Sequence, residues 1–300
     1  MTYSRSHLVD PAGGVYHVCS RCVRRAYLCG SDKKLGYDFN HRRDWIEKRI
    51  LELSEVFPID VLGFAVMSNH YHIVLQVNPN LVSTWSNTEV AEKWLTLNPR
   101  ARESDEGRAL RFRAIINDPS RLTILRERFA SLSWYMRYLN EPLARMANKE
   151  DDCKGRFWEG RFKSQRLLDE AAIVACMVYV DLNPVRAGLT EDARKAEHTS
   201  LTKRLEESTE DSTQLRVINK PASSMPITIT LKAYIQLVIW TEQSKHKAKS
   251  SKTTDPPLAS RNITQLMPKP GRWQRALGST ISLKNYASDL GQHWIQTQRA

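Results

Sequence analysis

The pattern of apolar and polar positions predicts a small set of strands. β-Branched and apolar residues predict a first strand over residues 14–21 and an adjacent pair over 59–67 and 69–77, joined through a bend near Ser68. Residues 156–165, in which cations are interspersed with aromatic side chains, are predicted to form a strand or a loop. Each predicted strand is separated from the next by helical or turn sequence, except within the adjacent pair.

Apolar residues at helical spacing predict the intervening helices. Two long helices are expected over residues 40–57 and 121–147, and a shorter one begins after the N-cap candidate Asp169 and ends before Pro184. Residues 78–118 are charged and weakly periodic, so we expect an insertion with short helices outside the core. The element order predicts an α+β domain in which an antiparallel sheet carries helices on one face.

Composition and charge narrow the class of protein. The 300 residues carry a net charge of +12 with a pI near 9.5, which favours a polyanionic partner, although a basic surface can also serve solvation alone. No apolar run reaches the ~20 residues that span a bilayer, so no membrane is expected. The N-terminal residues do not resemble a signal peptide, and five cysteines argue against a disulfide framework; a cytoplasmic location is the simplest expectation.

The last third of the chain differs in composition from the rest. Residues 201–300 hold 15 Lys and Arg against 7 Asp and Glu, which accounts for +8 of the net charge. We therefore divide the chain into a first domain over 1–195, with the insertion at 78–118, and a small basic region over 196–300. Helices are predicted over 227–243 and 273–298, with a flexible linker around 244–258. This region is expected to contact DNA or cover the sheet, and a disordered tail is the alternative.

Two histidines interrupt the apolar pattern of the third strand. Side chains at positions i and i+2 of a strand point to the same face about 7 Å apart, so His70 and His72 can converge on one metal ion while Tyr71 faces the core. The alternative is a pair of hydrogen-bonded or solvent-facing histidines. A second possible metal site, zinc at His17, Cys19, Cys22 and Cys29, is disfavoured because no second pair of ligands follows at zinc-finger spacing.

The helix that precedes Pro184 carries a candidate nucleophile. Tyr179 lies opposite the apolar stripe of Ile173, Met177 and Val180, on a face of small side chains that leaves room for a substrate. Asn183 follows one turn later on the same face. The alternative is a tyrosine that only covers an amphipathic helix.

Four motifs, in this order, resemble the single-tyrosine HUH transposases, and most closely the branch of REP-associated tyrosine transposases. The resemblance covers about residues 5–195, and its motifs are Gly13-Gly14-Val15-Tyr16-His17-Val18, Ser68-Asn69-His70-Tyr71-His72-Ile73-Val74, Gly155-Arg156-Phe157-Trp158-Glu159-Gly160-Arg161-Phe162-Lys163-Ser164, and Tyr179-Val180-Asp181-Leu182-Asn183-Pro184-Val185-Arg186-Ala187-Gly188-Leu189. It implies the ferredoxin- or RRM-like sheet of an HUH domain.

The resemblance also implies a chemistry. His70, His72 and Asn183 would hold a divalent cation, Mg²⁺ or Mn²⁺, and Tyr179 would attack DNA to form a 5′-phosphotyrosine and release a 3′-hydroxyl. Imidazole ligands suit Mn²⁺ better than Mg²⁺. The expected substrate is single-stranded or hairpin DNA, bound by a monomer or a homodimer. Two alternatives remain: an inactive, domesticated protein that binds DNA hairpins, and a metal-dependent phosphodiester hydrolase.

Cations interleaved with aromatic residues predict the DNA-binding surface. Such interleaving supplies charge for phosphates and flat faces for bases, but it also fits a strand with an apolar inner face. Arginine near a helix C-terminus is favoured by the helix dipole as well. The candidate DNA-binding residues are Arg24, Arg25, Arg156, Trp158, Arg161, Lys163 and Arg186.

Overall fold

The structure, a computed structural model, describes residues 11–23, 28–32, 36–207, 215, 217–218, 220, 226–246, 260–269, 272–293 and 295. Its main sheet contains β1 (Gly14–Arg21), β4 (Ile59–Val66), β5 (His70–Val77), β6 (Lys163–Leu167) and β7 (Ala276–Leu277). A small separate hairpin joins β2 (Ser31–Asp32) and β3 (Tyr37–Asp38).

The sheet has the topology of a split βαβ fold. Its order is β4-β5-β1-β6-β7; neighbours are antiparallel except β6 and β7, which pair in parallel. Helix α1 (His41–Val56) connects β1 to β4, and helix α6 (Leu132–Glu150) lies between β5 and β6 in the chain. Four strands in this order with two helices form the ferredoxin-like arrangement. The predicted α+β class with an antiparallel sheet is confirmed.

Strand alternation sends apolar side chains to both faces, and helices cover each. On the first face, Tyr16, Val18 and Ile73 pack in one core with residues of α1 and α6. On the second face, Val15, Val74 and Leu167 pack with the helix that carries Tyr179 and with helices from the last third of the chain. The helices expected on one face are there, and the second face is covered as well.

The insertion contributes to the first core, contrary to expectation. Its helices are α2 (Leu81–Thr84), α3 (Asn87–Leu97) and α4 (Asp105–Ile116), and Val90, Leu95 and Ile115 are buried with the sheet residues. A capping box between Ser86 and Glu89 starts α3. The weak periodicity of this stretch misled the prediction because its apolar residues are divided among three short helices.

The predicted helix over 121–147 is two helices. These are α5 (Pro119–Phe129) and α6, and the break falls where Ser131 adopts an extended backbone (φ −103°, ψ 117°). Asp118 caps α5 by accepting a hydrogen bond from the Arg121 amide, and Pro119 occupies its first turn.

The remaining elements cover the second face. They are α7 (Glu170–Asp181), α8 (Asn183–Arg186), a 3₁₀ turn (Ala193–Lys195), α9 (Ser200–Glu207), α10 (Leu231–His246), α11 (Ser260–Leu266) and α12 (Thr280–Asp289). The prediction of a helix over 273–298 is wrong at both ends, because Ala276 and Leu277 pair with β6 and α12 ends at Asp289. Most of the predicted linker at 244–258 lies outside the described residues. None of the described helices has the length and apolar character of a membrane span.

Candidate active site

The register of the sheet gathers polar side chains at one end of its second face. Cys19 pairs with His72 and Arg21 pairs with His70, so these side chains share a face. On the other side of β1, His17 pairs with Gln165 and Cys19 with Lys163. Strand alternation places Tyr71 on the opposite face, where it is fully buried, as the sequence predicts.

Helix α7 lies against this polar end of the sheet and is buried on every side. The carboxylate of Asp169 accepts hydrogen bonds from the amides of Ala172 (2.9 Å) and Ser279 (2.7 Å), which fixes the start of the helix. Ala175 and Cys176 are fully buried in the core formed with α10 and α11. The small-residue face is therefore packed rather than open, because helices from the last third of the chain cover it.

A cavity of about 470 Å³ lies beside Tyr179. Its walls are the polar end of the sheet, the end of α7, the loop around Gly160 and Arg161, and the four residues Pro268, Lys269, Arg272 and Trp273. Seven of the predicted site residues meet in its lining: His70, His72, Arg161, Lys163, Tyr179, Asn183 and Arg186.

The histidines of this cavity are linked to one another and to Asn69. His70 Nδ1 lies 2.5 Å from Asn69 Oδ1, and His72 Nδ1 lies 2.9 Å from His17 Nε2. Burial lowers the pKa of His70 to about 4 and that of His17 to about 3, and burial with the neighbouring His17 holds the pKa of His72 well below its usual value. All three imidazoles are therefore neutral at pH 7.

Tyr179 stands edge-on to two of these imidazoles. Its ring centroid is 5.9 Å from that of His17 and 5.7 Å from that of His72, and the side chain is 6% exposed. The Arg186 guanidinium lies 4.6 Å from the ring centroid. Burial raises the pKa of Tyr179, and the charge of Arg186 opposes that rise.

Two polar groups near Tyr179 have unused hydrogen-bonding capacity. The side-chain amide nitrogen of Asn183 donates to the Tyr179 carbonyl at 3.0 Å, which holds the amide against the last turn of the helix. Its Oδ1 accepts no hydrogen bond from the described residues. Among the described residues, the buried Nε and Nη1 of Arg186 find no hydrogen-bond partner, and its Nη2 contacts only the sulfur of Met267 at 3.6 Å. Buried donors of this kind are costly unless a ligand accepts from them.

Sequence reasoning missed several residues of the cavity. The sequence indicates no role for His17 beyond a disfavoured zinc site and a place in the first motif, although a histidine inside an apolar strand is a detectable signal. Trp273 stacks on His17 with centroids 4.8 Å apart, and Lys269 and Arg272 line the cavity beside it. No local pattern marks these last three residues, because only the pairing of β7 with β6 brings their segment to the sheet.

Other predicted residues lie elsewhere. Trp158 lines a neighbouring groove rather than the cavity, and its indole nitrogen donates to the Asn140 carbonyl at 3.0 Å. Arg156 is exposed and lines neither space. Arg24 and Arg25 lie outside the described residues. Cys22 and Cys29 pack in the first core, on the side of the sheet away from His17, so the four possible zinc ligands do not converge.

The donor chemistry of the predicted metal ligands fits a divalent cation. The Asn69 oxygen places the proton of His70 on Nδ1 and leaves the Nε2 lone pair available. His72 can offer Nε2 in the same way when its Nδ1 donates to His17. Over the described part of the chain, no three His, Cys, Asp or Glu side chains form a group that could hold a metal ion.

No protein-family model and no curated protein matches the chain. Among solved structures, the chain is similar to that of a REP-associated tyrosine transposase bound to a REP hairpin. The TM-score is 0.36 and the sequence identity 11%, over 69% of this chain and 86% of the other. A likeness of this size shows neither a family nor a function for this chain.

Proposed function

We propose that the chain is a metal-dependent DNA strand transferase that cleaves and rejoins single-stranded or hairpin DNA through a phosphotyrosine at Tyr179. The observation that supports it is the meeting of unlike groups in one cavity. A buried tyrosine, two neutral imidazoles, an amide and several cations surround the same space. The motifs of the chain resemble those of single-tyrosine transposases, which points to the same chemistry.

The covalent step exchanges one phosphoester for another. The Tyr179 oxygen attacks the phosphorus of a phosphodiester and loses its proton, and the bond from phosphorus to the 3′-oxygen breaks. The 3′-oxygen leaves as a hydroxyl after taking up a proton, and the 5′-phosphate stays on the tyrosine. Attack by another 3′-hydroxyl reverses the step and joins the strand elsewhere without ATP, because the ester bond is conserved.

Residues His70, His72 and Asn183 would hold the cation, with Asn183 contributing its Oδ1. Mn²⁺ or Mg²⁺ bound there would polarise a phosphodiester oxygen and make the phosphorus a better electrophile. Mn²⁺ suits a site with two imidazoles better than Mg²⁺ does. His17 would act as a positioning residue, because its Nε2 can accept the Nδ1 proton of His72 and so fix the ligating tautomer.

Arg186 would serve both the substrate and the nucleophile. Its buried Nε and Nη1 donors can bind phosphate oxygens of the strand that enters the cavity. Its charge also favours the phenolate form of Tyr179, whose pKa burial otherwise raises. Arg161, Lys163 and Arg272 add positive charge along the walls, and Trp273 offers a flat face against which a base can stack.

A denaturing gel tests the proposal. The full chain is incubated with Mn²⁺ and a hairpin oligonucleotide labelled at its 3′ end, because the 5′-phosphotyrosine link retains the 3′ part of the strand. A labelled band that migrates with the protein and disappears on proteolysis is expected. Labelled fragments with free 5′-phosphate and no adduct would indicate a hydrolase. Intact DNA that the protein binds would indicate a hairpin-binding protein without cleavage activity.

A further inference from the structure

A second basic surface lies on the helices of the insertion and on α6. It is a groove of about 980 Å³ between α1, the helices α3–α5 and α6, and we call it the arginine groove. Seven arginines line it, and Glu141 is the one acidic residue among the described residues of its lining. The indoles of Trp94 and Trp134 form part of its floor, and both are partly exposed.

The arginines of the groove outnumber the carboxylates with which they pair in the described part of the chain. Four of the seven are paired, since Arg137 and Arg145 share the carboxylate of Glu141 and each of the others has its own partner: Arg49 with Glu52 and Arg111 with Glu103. Arg100, Arg121 and Arg128 form no ion pair with the described part of the chain. Clustered like charges repel one another, and the groove therefore favours a polyanion that neutralises them.

The aromatic rings of this groove are layered with guanidinium groups. The Arg128 guanidinium lies 4.5 Å from the Trp134 ring centroid and 5.3 Å from that of Trp94. Arg137 lies 4.9 Å from the Trp134 ring. Alternating flat rings and fixed cations suit a polyanion that also carries planar bases, which distinguishes a nucleic acid from an acidic peptide or a simple phosphate.

Shared lining residues connect the arginine groove with the cavity at Tyr179 through a third space. Trp134, Arg137 and Glu141 also line a second groove of about 590 Å³, together with Trp158, Gly160 and Arg161. Gly160 and Arg161 in turn line the tyrosine cavity. Residues shared between neighbouring spaces therefore lead from Tyr179, past the loop at Gly160, to the insertion helices.

We propose that the arginine groove binds the single-stranded DNA that continues from the segment held at Tyr179. This inference rests on the proposed function, because that function supplies the strand. Exposed arginines such as Arg100 and Arg121 would neutralise its phosphates, and unpaired bases would stack on the Trp134 side of the groove. The insertion then enlarges the DNA-binding surface in addition to completing the core.

Fluorescence anisotropy with two single strands tests the arginine groove. A strand of about 6 nucleotides is short enough to fill only the cavity, and one of about 30 can also reach the groove. In the wild-type chain the long strand should bind more tightly. The double substitution Arg100→Ala with Arg121→Ala should reduce the ratio of long-strand to short-strand affinity at least about tenfold. A plot of the logarithm of the long-strand binding constant against the logarithm of the salt concentration should become less steep. Its slope should fall in magnitude by about 1.4, because each of the two lost phosphate contacts on a single strand contributes about 0.7.

A matched control changes two exposed lysines of the other side, Lys232→Ala with Lys284→Ala, and should leave the advantage of the long strand intact. An unchanged advantage in the arginine variant would overturn the proposal. An equal loss for a duplex of the same length would overturn the assignment to single-stranded DNA. Absence of a covalent adduct between the wild-type chain and the short strand would count against the proposed function alone, since affinity for the long strand is measured without cleavage.

Discussion

Tyr71 and Tyr179 are both buried tyrosines, on opposite faces of the same sheet, and they use their hydroxyls differently. The Tyr71 hydroxyl donates to Asn140 Oδ1 at 2.6 Å and lies 3.2 Å from Ser20 Oγ. The Tyr179 hydroxyl makes no hydrogen bond with the described residues, and its ring borders a cavity. Burial raises the pKa of both phenols, but only Tyr179 has a guanidinium, that of Arg186, against its ring.

This difference separates a structural tyrosine from a candidate nucleophile. A hydroxyl that is hydrogen-bonded within the core stabilises the fold and is shielded from a substrate. A hydroxyl without a partner, next to neutral imidazoles and a cation, stabilises little and can react. The same distinction predicts opposite results when each hydroxyl is removed, one in catalysis and the other in stability.

The largest effect is expected from Tyr179→Phe. The substitution removes one oxygen from the cavity and keeps the ring that packs beside His17 and His72. Adduct formation should fall by at least about a thousandfold, as is typical when a nucleophile is lost. Hairpin affinity, measured by anisotropy, should stay within about threefold of wild type. Undiminished adduct, or an adduct mapped by mass spectrometry to another residue, would refute the mechanism.

His70→Ala and His72→Ala should each reduce cleavage by more than about a hundredfold while hairpin binding persists, because affinity comes mainly from phosphate charge and stacking. Chelation of the cation with EDTA should bring the wild-type chain to the same level. The exposed His41, which pairs with Glu150, provides the control, and His41→Ala should cleave normally. Full cleavage by either cavity variant with Mn²⁺ present would contradict the metal assignment.

Asn183 is expected to matter less than the histidines. Asn183→Ala should slow adduct formation about tenfold to a hundredfold, and a higher Mn²⁺ concentration should recover part of the loss. Asn183→Asp keeps an oxygen at this position but loses the amide donor to the Tyr179 carbonyl. It should therefore be more active than Asn183→Ala if the oxygen binds the cation. Equal activities would indicate that Asn183 only ends the helix.

Local patterns predicted the parts of the site that lie on regular elements. Strand alternation separated Tyr71 from His70 and His72, and helical spacing placed Asn183 one turn after Tyr179. The bounds of β1 and α1 followed from the same periodicities to within one residue. These features depend on residues close in sequence, which is why the sequence alone was sufficient.

Features that depend on distant pairing were not predictable in this way. Trp273 reaches the cavity because β7 joins the sheet beside β6, a contact between segments about a hundred residues apart. Likewise, α7 is apolar on nearly all sides, which is typical of a fully buried helix, but its sequence does not show that α10 and α11 cover it. The burial of Tyr179 follows from that packing.

The smallest effect is expected from Tyr71→Phe, and it completes the comparison. Removing this hydroxyl leaves the Asn140 oxygen without its donor inside the core, so the free energy of unfolding should fall by about 1–3 kcal/mol. Urea denaturation would measure the change. Tyr179→Phe is the matched control, since it removes a hydroxyl without a hydrogen bond and should change the free energy of unfolding by less than the roughly 0.5 kcal/mol that even a weak hydrogen bond contributes. Tyr71→Phe should still form the covalent adduct below its unfolding transition.

Two outcomes would contradict the comparison of the two tyrosines. Equal stability losses in the two variants would show that the Tyr179 hydroxyl also has a structural role. Loss of the adduct in folded Tyr71→Phe would remove the distinction between the two tyrosines.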